Sequence, residues 1–128
     1  MTALDTNVLV RLLTGDDTRQ AARARALVEK SAEPLFVPLT VALELEWVLR
    51  ARYACSRDTV ILTFVRLLET RELDFQEEAS VERAIFLYRS TNADLGECLH
   101  AATAITHERA PLKTFDRKAA RLEGVELL

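Results

Sequence analysis

The sequence predicts an α/β protein, an open parallel sheet covered on both faces by helices. Three observations predict it. Short apolar runs suited to strands recur along the chain, separated by helical patterns, and that alternation implies parallel pairing with right-handed crossovers. Only three Gly and three Pro occur in 128 residues, so loops are short and helix dominates. Aspartates stand where strands run into helices, at Asp5 and Asp116. In open parallel sheets ligands bind beyond the carboxyl ends of the strands.

Residues 2–4 are too few to assign as a strand from pattern alone. Asp5, Thr6 and Asn7 are cap-type residues ahead of a short helix over 8–13. A turn at 14–17 leads into an Ala-, Arg- and Leu-rich helix over 17–31. Residues 34–38 form an apolar run bracketed by prolines, a buried strand. Thr40 caps a helix running to about Tyr53, and Ser56 starts another that ends near Thr70. A strand at 72–75 precedes helices over 78–89 and from Asp94 to about Glu108. The chain closes with a strand at 112–115, a short helix over 116–122 and a strand at 125–127. No repeat, low-complexity tract or linker interrupts this order, so residues 1–128 read as a single domain.

Composition sets limits on function. The chain is 49% hydrophobic and 29% charged, as in soluble globular proteins, and its net charge of −3 gives no global attraction for nucleic acid. Contact with phosphate must be local or bridged by cations. Cys55 and Cys98 stand at no metal-ligand spacing and read as reduced thiols of a cytoplasmic protein. No apolar run approaches a membrane span, and the first residues lack the basic and apolar regions of an export signal.

The chemistry concentrates in acids. Asp5 and Asp116 each follow an apolar strand and open a helix. Either alone reads as a helix cap, but two at equivalent junctions of one sheet point to a site. Glu44 has Val41, Trp47 and Val48 as helical neighbours, which places it within the apolar stripe, where an unpaired carboxylate is costly. Glu46 instead has Arg50 four residues on and reads as a solvated ion pair. Asp94 and Glu97 share one face at a helix start, a spacing that also fits a capping box. Converged, these acids require a counter-charge. A hard divalent cation supplies it, and Mg²⁺ or Mn²⁺ suits oxygen donors better than zinc.

These blocks resemble the PIN-domain ribonucleases, specifically the toxin subunits of the VapBC toxin–antitoxin type. The likeness rests on Asp5-Thr6-Asn7, the Pro38-Leu39-Thr40-Val41 lead into Leu43-Glu44, Leu99-His100-Ala101-Ala102, and Thr114-Phe115-Asp116, and it covers essentially the whole chain. The resemblance implies a PIN-like α/β/α sandwich with a central parallel sheet of about four to five strands. It implies a Mg²⁺- or Mn²⁺-dependent endoribonuclease in which Asp5, Glu44, Glu97 and Asp116 are catalytic. Asp5, Asp94, Glu97 and Asp116 would serve as metal ligands, with Asp94, Asn7 and Thr114 in support. It further implies RNA as substrate, a small VapB-like antitoxin, a homodimer, and contact with DNA only through the antitoxin. The chain departs from the family at Glu97, where aspartate is most usual; glutamate keeps the charge and adds one methylene.

Arg11, Arg50 and Arg117 follow site acids within a few residues and can line a groove, although surface ion pairing accounts for them equally. His100 and His107 read as helix residues, and Trp47 and Phe64 as core or dimer-interface residues. Other classes remain open from the residues alone. A Mg²⁺-binding receiver-like module would need a paired acid after its first strand, and an aspartate-nucleophile phosphatase an acid where Asn7 stands. A catalytically impaired PIN-like binding domain rests on Glu97 alone.

Overall fold

The computed structural model describes residues 2–128. In chain order the elements are α1 (Thr6–Leu13), α2 (Thr18–Lys30), β1 (Leu35–Val37), α3 (Leu39–Ala51), α4 (Arg57–Leu68), β2 (Leu73–Phe75), α5 (Glu78–Ser90), α6 (Leu95–Thr106), β3 (Leu112–Thr114), a 3₁₀ turn (Ala119–Arg121) and β4 (Val125–Leu127). Polar side chains fix most helix starts. Asp5, Asp17, Ser56 and Asp94 each accept a hydrogen bond from a first-turn backbone N–H of α1, α2, α4 and α6, satisfying donors that a helix start leaves unpaired. Thr40 is not the cap of α3. That helix follows Pro38, and Gln76 Oε1 accepts from Leu39 N at 2.8 Å in place of a local cap.

The strands are parallel and short. β1 pairs with β2, Leu35 opposite Leu73 and Val37 opposite Phe75. Ala3 adds a single parallel bridge to Phe36. β3 pairs with β4, Leu112 opposite Val125. The parallel pairing is as expected, but among the described residues the ladders form two separate pairs rather than one sheet of four to five strands. Each strand is three residues long. Pro34 and Pro38 bracket β1, and proline contributes no donor to a ladder. The helix expected over 116–122 shrinks to the 3₁₀ turn, because Asp116 Oδ1 accepts from Lys118 N in a tight turn and β4 must begin three residues after Leu122.

Apolar faces of α1, α3, α4, α5 and α6 meet the strands in one core that includes Leu9, Val37, Leu45, Phe64, Ala84 and Tyr88, and Val28 of α2 packs against it. α5 packs along α6, and α3 lies against α1, α4 and α6. The N-termini of α1 and α6 are thereby brought to either side of α3. Among the described residues no helix is long and apolar enough to cross a membrane.

Both cysteines are free. Cys98 is fully buried, and that burial pushes its thiol up to about 11. A thiolate is the reactive form. Native protein is therefore expected to react with a chromogenic disulfide reagent at Cys55 only, with Cys98 appearing once denaturant is added. Rapid modification of both in the native state would contradict the burial of Cys98.

Candidate functional site

The N-terminus of α1 and the outward face of α3 share one cavity of 310 Å³, with Asp5, Asn7 and Glu44 in its wall. Asp5 is held by its own cap, Oδ1 accepting from Thr6 N at 2.7 Å. Thr6 is buried, and its hydroxyl donates to Glu44 Oε1. One residue thus fixes both acids, the first through its backbone N–H and the second through its side chain. Both acids are exposed, and among the described residues neither forms a salt bridge. The expectation that Glu44 sits within the apolar stripe is corrected. The buried face of α3 is Val41, Ala42, Leu45, Glu46, Val48 and Leu49, and Glu44 lies outside it.

Glu44 also borders a second cavity, of 420 Å³, whose far wall carries Asp94 at the start of α6. Asp94 caps that helix, Oδ1 accepting from Glu97 N at 2.8 Å. Asp5, Glu44 and Asp94 are thus brought around one ridge of α3. Glu97 and Asp116 line neither cavity. Glu97 is half-buried on α6, and Asp116 is exposed on the turn after β3. Thr114 Oγ1 accepts from Asp116 N at 3.0 Å. Asn7 lines the first cavity, but among the described residues it hydrogen-bonds neither acid.

Glu46 is not a solvated partner of Arg50. It is 5% exposed, with Oε2 accepting from Arg50 Nε at 2.9 Å and from the Tyr88 hydroxyl at 3.1 Å. Burial, and then the Glu46 charge, push the Tyr88 phenol up. The pairing on α3 was legible at four-residue spacing, but its burial depends on Tyr88 of α5. Arg50 lines the cavity shared by Glu44 and Asp94. Arg11 lines the cavity with Asp5 but is committed to Asp16 at 3.0 Å and Gln20 at 2.7 Å. Arg117 and His100 are exposed. His107 pairs with Glu77 at 2.7 Å, and that hydrogen bond holds the Glu77 carboxyl below its usual range.

Sequence reading missed Thr6 as the link between two acids. Its signal was a hydroxyl directly after a cap, but the partner lies 38 residues away. Trp47 and Phe64 were both expected in the core or a dimer interface; Phe64 is fully buried, and Trp47, 48% exposed, lies outside the core.

Among the described residues, no group of three or more His, Cys, Asp or Glu side chains converges tightly enough to cage a metal ion. The donors are nonetheless suited to a hard cation: carboxylate oxygens from two elements on one cavity, with no basic side chain of the described residues paired to them. Mg²⁺ takes one or two carboxylates plus waters and substrate phosphates rather than a complete protein cage. Asp5 and Glu44 fit that mode.

Residues 2–125 match the model of the PIN domain family. The chain is also similar to a VapC ribonuclease of Aquifex aeolicus (strain VF5), with 26% identity over 124 residues, covering 95% of this chain and 92% of that relative.

Proposed function

We infer, from the premise that this chain belongs to the PIN domain family, that it is a Mg²⁺- or Mn²⁺-dependent endoribonuclease. We assign it to the toxin side of a toxin–antitoxin pair, checked by a small VapB-like antitoxin. The name of the Aquifex relative supports the ribonuclease reading. The observation that carries it here is the placing of Asp5 and Glu44 on one cavity, both fixed by Thr6 and neither paired with a base among the described residues. The antitoxin and a second copy of the chain as partner follow from the family resemblance, and a cytoplasmic location from the reduced thiols.

In this reading Asp5 and Glu44 hold the ion, and Asp94 faces the same ridge from α6. Glu97 and Asp116 are the further acids proposed for the reaction, one turn into α6 and after β3. An ion held there by Asp5 and Glu44 would supply Lewis-acid polarisation of a phosphoryl oxygen and a lowered pKa for a bound water. The chain supplies the rest. Thr6 sets the orientation of both carboxylates before substrate arrives, which avoids reorganisation during reaction. The caps leave Asp5 Oδ2 and Asp94 Oδ2 without a hydrogen bond to a described residue. The N-termini of α1 and α6 favour negative charge where Asp5 and Asp94 stand.

The test is cleavage of a structured RNA by purified protein. Cleavage should stop with a chelator and return with Mn²⁺ or Mg²⁺. Cutting that persists in chelator, or intact RNA under every metal, would reject the assignment.

A further inference from the structure

Trp47 stands three residues beyond Glu44 on α3, a spacing that stacks two side chains on one helix face. Glu44 and Trp47 are the two residues common to both cavities, so together they form the ridge between them. A ring this large is usually covered, yet this one is 48% exposed. Two cations flank it. The Arg52 guanidinium lies 5.8 Å from the ring centroid. Arg50 lines the cavity on the Asp94 side, and its hydrogen bond to Glu46 runs through Nε. That bond leaves the terminal amino groups of Arg50 for other acceptors. With a net charge of −3 the chain attracts no polyanion as a whole, so a strand needs local cations of this kind. An aromatic face between cations is the arrangement that binds single strands: bases stack on the ring while the backbone follows positive charge.

We propose that Trp47 is a substrate-positioning residue, stacking the base next to the phosphodiester that lies over Glu44. The proposal rests on the ribonuclease reading and deepens it, naming the side chain that holds a base of the strand. A side chain three residues along the helix stands about 5–6 Å from Glu44 at Cβ, a distance one nucleotide bridges between its phosphate and its base. Stacking tolerates any base, so Trp47 sets where the strand lies rather than which sequence is chosen.

Trp47 is the one tryptophan of the chain, so its emission reports on this ridge alone. The experiment titrates Asp5→Asn protein, which leaves the strand uncut, with a dye-labelled oligoadenylate and with an abasic ribose-phosphate chain of equal length. Dye anisotropy reports binding and tryptophan emission reports stacking. Oligoadenylate should bind and quench; the abasic chain should bind more weakly and leave emission unchanged. In cleavage assays of otherwise native protein, Trp47→Ala should raise KM roughly 5- to 150-fold with kcat little altered, and Trp47→Phe should restore most of the loss. Binding without quenching overturns the stacking role and leaves the ribonuclease reading intact. Emission that shifts with protein concentration alone overturns it in favour of an interface between copies. Absence of RNA binding overturns the stacking role, and absence of cleavage by native protein as well overturns both.

Discussion

Asp5→Asn and Glu44→Gln should each abolish most RNA cleavage while leaving the fold unchanged. The two substitutions separate chemistry from structure. Asparagine caps helices as well as aspartate does, so the Asp5→Asn variant keeps the hydrogen bond from Thr6 N. Glutamine retains an oxygen that can accept from the Thr6 hydroxyl. What each variant loses is a negative charge at the shared cavity, and with it the attraction for a divalent cation. Removing even an outer partner of a metal ligand costs roughly 10- to 100-fold, so loss of either proposed ligand should cost at least that. Initial rates at saturating Mn²⁺ and thermal unfolding by circular dichroism check both halves. Stability should stay within about 0.5 kcal/mol, as for exposed positions generally. Native rates in both variants would remove these acids from the mechanism. Parallel measurements on Asp94→Asn, Glu97→Gln and Asp116→Asn would rank the remaining acids.

Arg57→Met should be the most damaging single change outside the apolar core. The Arg57 guanidinium donates to Tyr88 O at 2.8 Å, Thr91 O at 3.2 Å and Ala93 O at 2.5 Å. It also stands 3.6 Å from the centroid of the Tyr88 ring. One side chain from α4 therefore satisfies the carbonyls through which α5 ends and α6 is approached. Methionine keeps the apolar stem and removes every donor. Hydrogen bonds to a charged group contribute about 1.5–3 kcal/mol each and do not add fully, so a loss of about 3 kcal/mol is expected. For a chain of this size that lowers Tm by about 10 °C. Arg57→Lys keeps the charge without the planar fork and should fall between. Thermal unfolding within about 1 kcal/mol of native in Arg57→Met would show that water replaces the guanidinium at little cost. Cleavage should fall as well, because residues 91–93 lead directly to Asp94.

Elements whose causes lie close in sequence were the legible ones. Asp17, Ser56 and Asp94 announce their helices because a cap is a contact over two or three residues, and the structure begins α2, α4 and α6 at those points. Contacts between distant segments were not legible. Glu44 lacks a partner on its own helix, so the pattern placed it in the apolar stripe; its partner is Thr6. Glu46 was expected in water because Arg50 can reach it there, and Tyr88 draws it inside. Trp47 blurred the reading of α3 further: it is apolar and outward, so as a helical neighbour of Glu44 it counted toward the buried side. The extent of the sheet was illegible for a related reason. Alternating strands and helices announce parallel pairing, but not whether pairs only three residues long join into one ladder.

The Thr6–Glu44 bond and the Arg57 clamp also bear on how the chain is made. Translation delivers Asp5 and Glu44 early, while Tyr88, the 91–93 carbonyls and Asp94 leave the ribosome much later. A half-made chain carries acids and an exposed tryptophan, but it has no α6 to close the ridge and no Tyr88 to anchor Glu46 and, through it, Arg50. The ridge is completed only near the end of synthesis, so the ribonuclease proposed for this chain would stay inert for most of the time it is tethered to the RNA-rich machine that builds it.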